Sequence, residues 1–76
     1  MKEFVAYLIK NLVDQPDAVE VQIIDGQQGM IVEVRVAVDD VAKVVGKQGR
    51  TIKSLRTLIM VVGARFGRRV RLELIH

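Results

Sequence analysis

The chain has 76 residues, half of them hydrophobic and 28% charged, with one Pro and no Cys or Trp. That is enough for one small domain and too little for a second, and it excludes disorder, a disulfide framework and a thiolate metal site. The net charge of +3 is modest, and the longest apolar run, Leu58 to Val62, is far short of the ~20 residues that a bilayer span needs, so a cytoplasmic protein is expected.

In chain order, Phe4, Leu8 and Leu12, with Val5, Ile9 and Val13, recur at helical spacing and predict a helix over Lys2 to Val13. Asp14-Gln15-Pro16-Asp17 ends it, because the residue before a proline is pushed out of the α region. Val19, Val21 and Ile23 alternate with Glu20 and Gln22 as a half-buried strand. Asp25-Gly26-Gln27-Gln28-Gly29 is a turn, and Met30, Val32, Val34 and Val36 form a second strand, which makes the pair an antiparallel hairpin.

Asp39 or Asp40 is placed to cap a short helix from Val41 to Val45. After Gly46-Lys47-Gln48-Gly49 a longer helix is expected from about Arg50 to Ala64, with Ile52, Leu55, Ile59 and Val62 as its core stripe. Val70, Leu72 and Leu74 alternate with charged residues in a last strand. The resulting order α-β-β-α-α-β, with a three-stranded sheet, describes an α+β two-layer sandwich in one domain over residues 1–76.

Reactive side chains are scarce. The only His is His76, the only Ser is Ser54, and Tyr7, Thr51 and Thr57 complete the hydroxyls. A nucleophile, a base and an orienting group within reach of one another cannot be assembled from these, so neither an enzyme nor a bound metal or cofactor is expected. Charge, in contrast, is sharply divided. Residues 1–40 carry three cations against eight acids, and residues 41–76 carry nine cations against Glu73 alone. A one-signed stretch in a folded domain concentrates positive potential and attracts polyanions.

The segment Val44-Val45-Gly46-Lys47-Gln48-Gly49-Arg50-Thr51-Ile52 gives that charge a geometry. Two glycines between two helices allow close backbone approach, and the start of the second helix offers N–H groups at the positive end of its dipole. Lys47 and Arg50 stand beside it, with Lys43 and Lys53 a turn to either side. A Walker loop needs a Gly five residues before its Gly-Lys pair and a hydroxyl after the Lys, whereas this chain has Val41 and Gln48 there. A dinucleotide fingerprint needs three glycines after a strand, so neither nucleotide motif applies.

With its flanking Val-Val and Arg-Thr-Ile, the segment resembles the Gly-x-x-Gly loop of a KH domain, a module that clamps about four nucleotides of single-stranded nucleic acid. The order of elements resembles the type II KH arrangement, and the chain, over essentially all its length, is similar to the KhpA family of small bacterial RNA-binding proteins. The resemblance implies a non-enzymatic RNA-binding protein, an RNA chaperone or post-transcriptional regulator, acting in processes such as cell elongation and division. It also implies self-association and pairing with a larger partner of the KhpB (Jag-like) family.

The expected contacts follow from the residues. Backbone N–H groups of Lys47 to Arg50 and the Lys47 side chain hold the sugar–phosphate backbone. Val44, Val45 and Ile52, with a strand residue such as Val34 or Val36, form a groove floor, and Arg50, Lys53 and Arg56 extend the positive potential. The only aromatics, Phe4, Tyr7 and Phe66, fall at helix positions, so weak sequence preference is expected. Arg68, Arg69 and Arg71 read equally as RNA contacts or as an exposed basic face. Leu58, Met60 and Val61 lie off the core stripe, either as a wide buried face or as a homodimer surface. A protein-interaction adaptor with a vestigial loop and a single-stranded DNA binder are the competing readings.

Overall fold

A computed structural model describes residues 1–75; His76 lies outside them. The elements are α1 (Lys2–Lys10), β1 (Glu20–Gly26), β2 (Gly29–Arg35), α2 (Val41–Val45), α3 (Arg50–Arg65) and β3 (Val70–Ile75), with single 3₁₀ turns at Pro16–Ala18, Val38–Asp40 and Lys47–Gly49. The sheet has the order β1-β2-β3. β1 and β2 pair antiparallel, with Val21 opposite Val34 and Ile23 opposite Val32. β3 joins β2 in parallel, with Leu72 opposite Val32. A parallel neighbour cannot be reached by a tight turn, which is why α2 and α3 lie between β2 and β3.

One face of the sheet meets the helices. Val21, Val32, Val34, Val70 and Leu72 point inward at period two and pack with Val5 and Ile9 of α1, Val44 of α2, and Ile52, Leu55 and Ile59 of α3. The other face carries Glu20, Gln22, Glu33, Arg35, Arg71 and Glu73 and faces solvent, as the two-layer sandwich requires. The core stripe of α3 continues at Gly63 instead of Val62, which is half-buried. The helix and strand touch there: a Cβ on Gly63 would come within 3.0 Å of Val70 Cβ and 3.3 Å of the Arg68 carbonyl.

Boundaries shift by a few residues from the expected ones. α1 stops at Lys10, where the Asn11 side chain donates to the Tyr7 carbonyl, so Leu12 and Val13 lie in the following turn. β1 runs on to Gly26 because its hairpin partner Gly29 keeps the ladder going to the turn. Asp40 does not cap α2: no side-chain capping bond is made there. Its carboxylate, wholly buried, reaches back across the fold and accepts the backbone N–H of Asp14 at 3.1 Å and of Gln15 at 3.0 Å. Long-range tethering of the α1–β1 connection has taken the group that a local cap would have used. Among the described residues no helix is long and apolar enough to cross a membrane.

Candidate nucleic-acid interface

The loop is built by three residues on the positive-φ side. Gly46 ends α2 with φ 78° and ψ 176°, Gln48 sits at φ 58° and Gly49 at φ 74°. The chain therefore turns sharply, Gly49 N–H donates to the Gly46 carbonyl at 3.2 Å, and α3 begins at Arg50 with no side chain capping its first turn. Gly46 is required twice, since a Cβ there would overlap Thr51 Oγ1 and lie 2.6 Å from Thr51 Cβ on that first turn. Gly49 is required by its backbone angle alone, because a Cβ there meets nothing within 4 Å.

Lys47, Gln48, Arg50 and Lys53 are exposed around this turn. Gln48 Oε1 accepts from Arg50 Nη2 at 3.3 Å, which orients the guanidinium along the loop. Positive side chains thus stand beside the amino end of a 16-residue helix without a carboxylate in it. An anion brought there meets both the helix dipole and full charges.

Several expected contacts are placed differently. Lys43 is not a free cation beside the loop: its Nζ lies 2.7 Å from Asp14 Oδ2 and 3.4 Å from Asp40 Oδ1, bracing α2 against the α1–β1 connection. The hydrogen bond to Asp14 is the main cause that raises the Lys43 pKa above its ordinary 10.5. Burial works against the charge on Asp40, yet the two backbone donors and Lys43 outweigh it and hold that carboxyl below its ordinary 3.8.

Val44, Ile52 and Val34 are buried in the core and do not floor a groove; Val45 and Val36 are the half-buried ones. Arg56 lies two turns along α3, where its Nε donates to the Leu72 carbonyl on the outer edge of β3 at 3.3 Å. It therefore stands over the seam between α3 and β3, a place that charge counting alone does not specify.

The apolar trio also separates. Leu58, Met60 and Val61 are all exposed, between 40% and 55%. Leu58 and Val61 share a shallow groove with Lys53, Ser54 and Thr57. Met60 opens into a different groove, toward β3. Successive helical residues are ~100° apart, so the three cannot share one face. An apolar cleft of about 420 Å³ opens between the start of α1 and the end of α3, lined by Phe4, Val62 and Phe66 among others. Sequence reasoning did not find it, because the two helices that wall it are joined only through the fold. Among the described residues no group of three or more His, Cys, Asp or Glu could hold a metal ion.

Comparison with known proteins gives this geometry a context. A family model described as "KhpA/KhpB, KH domain" matches residues 2–74. A protein named "RNA-binding protein KhpA" from Chlamydia pneumoniae is 49% identical over 76 residues, covering all of this chain and 97% of its own. Proteins of the same name from Caldanaerobacter subterraneus subsp. tengcongensis and Aquifex aeolicus are 47% and 40% identical, over 99% and 100% of this chain and 100% and 96% of theirs.

Proposed function

The chain belongs to the KhpA/KhpB family of KH domains, and from that premise we propose that it binds single-stranded RNA at Gly46-Lys47-Gln48-Gly49, without catalysis, holding about four nucleotides. The observation that carries the reading is the loop itself. Consecutive left-handed residues Gln48 and Gly49 bend the chain so that Lys47 and Arg50 flank an uncapped helix start. Backbone N–H groups and Lys47 take the phosphates, Arg50 and Lys53 continue the positive surface, and Val45 offers an apolar edge to the bases. Contacts of this kind position a backbone more than they read a sequence, so base preference is weak.

The setting that fits is the cytoplasm, with a role as RNA chaperone or post-transcriptional regulator. A KhpB-family protein is the natural heterologous partner, and a second copy of the chain the natural homologous one.

Replacing Lys47 and Gln48 by Asp tests the loop. Asp tolerates the left-handed angles of position 48, so the fold and its circular dichroism are retained. Negative charge now faces phosphate, and affinity for a uridine oligonucleotide falls roughly tenfold or more at low salt. Unchanged binding by the folded variant would overturn the assignment. A matched DNA oligonucleotide separates an RNA reader from a general single-strand binder.

A further inference from the structure

The two edges of the sheet are not alike. A two-residue turn closes β1 on β2 with Gly26 opposite Gly29, so that pair exchanges both its backbone hydrogen bonds. The alternation continues through Ile24 and Ile31, Gln22 and Glu33, and Glu20 and Arg35. The backbone groups of Val21, Ile23 and Asp25 therefore point away from β2, to the outer edge. The far side of β2 keeps the same phase, since Met30 N–H donates to the Arg69 carbonyl at 2.7 Å. At the β3 edge α3 covers part of what is open: Arg56 Nε donates to the Leu72 carbonyl at 3.3 Å. At the β1 edge no turn, loop or side chain among the described residues bonds to the backbone of Val21, Ile23 or Asp25.

An open edge is a template for another strand, and proteins commonly blunt it with a proline, a lysine, a bulge or a covering element. β1 is seven residues long, pairs in unbroken register and contains neither Pro nor Lys. Val21 and Ile23 lie on its helix side with the core, and Glu20, Gln22 and Ile24 on the solvent face. The charge here is as one-sided as on α3, with the opposite sign. From Asn11 to Val34 the chain holds five acids and no Lys or Arg. Asp14 and Asp25 are taken by Lys43 and Arg68, whereas Asp17, Glu20 and Glu33 have no cationic partner among the described residues. A hollow of about 240 Å³ lies beside Glu20, Val21 and Gln22, with Glu33 and Arg35 on its far wall.

We propose that β1 receives an extended, basic segment of another protein as a fourth strand of the sheet. The outward N–H and C=O groups of Val21, Ile23 and Asp25 supply its hydrogen bonds. Its apolar residues, at alternate positions, continue the helix side beside Val21 and Ile23. The Lys or Arg residues between them lie on the solvent face, toward Glu20 and Glu33. A second copy of this chain is the poorer occupant, because two β1 strands bring the same acids of both chains to one edge. A nucleic acid is repelled by those acids as well. Neighbouring strands are ~4.8 Å apart, so β1 lies roughly 10 Å from β3 and from the side of the sheet that α3 overhangs. The loop at Gly46 to Gly49 is left free, and one domain can hold RNA and a protein segment together.

The probe is a heptapeptide of alternating lysine and valine, read by fluorescence anisotropy and by amide hydrogen exchange in NMR. It is compared with a glutamate–valine peptide and with two N-methylated forms, one blocked on the valines and one on the lysines. In the free protein the amides of Val21, Ile23 and Asp25 should exchange roughly tenfold or more faster than those of Gln22 and Ile24, and the lysine peptide should remove the difference. The glutamate peptide and one of the two N-methylated forms should bind roughly tenfold or more weakly at low salt. Ile23→Pro removes an outward N–H and no ladder bond, so it should lose the peptide and keep its affinity for tetrauridylate. Glu20→Lys/Glu33→Lys, which leaves the core untouched, should prefer the glutamate peptide and carries the test if the proline variant unfolds. Slow exchange of the three amides in the free protein would show the edge already covered and overturn the proposal. Protection that grows with protein concentration alone would give the edge to a second copy and overturn it too. So would a lysine peptide that fails to bind at millimolar concentration, leaves the three amides unprotected, or binds equally well in both N-methylated forms.

Discussion

At Gly46 two demands coincide, a backbone conformation that L side chains avoid and a contact with the first turn of α3 that leaves no room for Cβ. At Gly49 only the first applies. The two glycines look equivalent in the motif, yet their substitutions differ in cost. Gly49→Ala should lose about 1–2 kcal/mol, the penalty for a left-handed non-glycine residue. Gly46→Ala should lose more, because about 1–3 kcal/mol of backbone strain is joined by the overlap with Thr51. Urea titration of both variants checks the ranking, and equal midpoints would contradict it. Gln48 carries the same kind of strain at φ 58° in the wild type. The fold maintains it by closing the turn through Gly49 N–H and by engaging the Gln48 side chain with Arg50.

Between elements, the decisive group is Asp40. It lies on the turn before α2, yet its hydrogen bonds fix the segment after α1, and with Lys43 it ties both to the helix pair that presents the loop. Its carboxyl titrates below the ordinary 3.8 in the folded protein, so its contribution to stability is complete above that value and is lost as pH falls through the lower folded value. Asp40→Asn should therefore lower the urea midpoint at neutral pH, with the gap to wild type closing as both are taken below pH 3.8; a gap that stays constant into strong acid would exclude the carboxylate as its source. The periodicity of Val21/Ile23 and Met30/Val32/Val34, the three- and four-residue steps of α3 and the glycine pair all showed in the sequence, since each is a local pattern that one element must satisfy by itself. The Asp14–Lys43–Asp40 cluster did not show, because an acid ahead of a helix has a local use as a cap that sequence spacing favours. The burial of Val44 and Ile52 was equally hidden, for a valine beside a loop fits a groove or a core until the sheet is in place.

Over the whole molecule, the acids of the first half neutralise only cations that brace the fold: Asp14 and Asp40 hold Lys43, and Asp25 holds Arg68. Arg71 shares Glu73. Among the described residues of the second half, Lys47, Arg50, Lys53, Arg56, Arg65 and Arg69 have no carboxylate partner, and all lie on the loop, on α3 or in the turn after it. The charge division in the sequence thus becomes a basic helix with its flanks. Leu58 and Val61 share a groove of α3 with Lys53, Ser54 and Thr57, on the flank away from Met60 and β3. A second copy seated there by two-fold symmetry would cover apolar surface on both chains while leaving each loop open to RNA. Two loops on one particle raise the effective concentration of the second site for a long strand. Sedimentation of the wild type should accordingly report a dimer, and Leu58→Asp/Val61→Asp a monomer. The monomeric variant should lose more affinity for strands long enough to reach both loops than for tetrauridylate, whose smaller loss comes from the new carboxylates in the groove shared with Lys53. Met60→Asp, on the flank facing β3, should leave the dimer intact. A wild type that remains monomeric at every concentration tested would remove the two-fold interface, and dissociation by Met60→Asp would move it to the flank over β3.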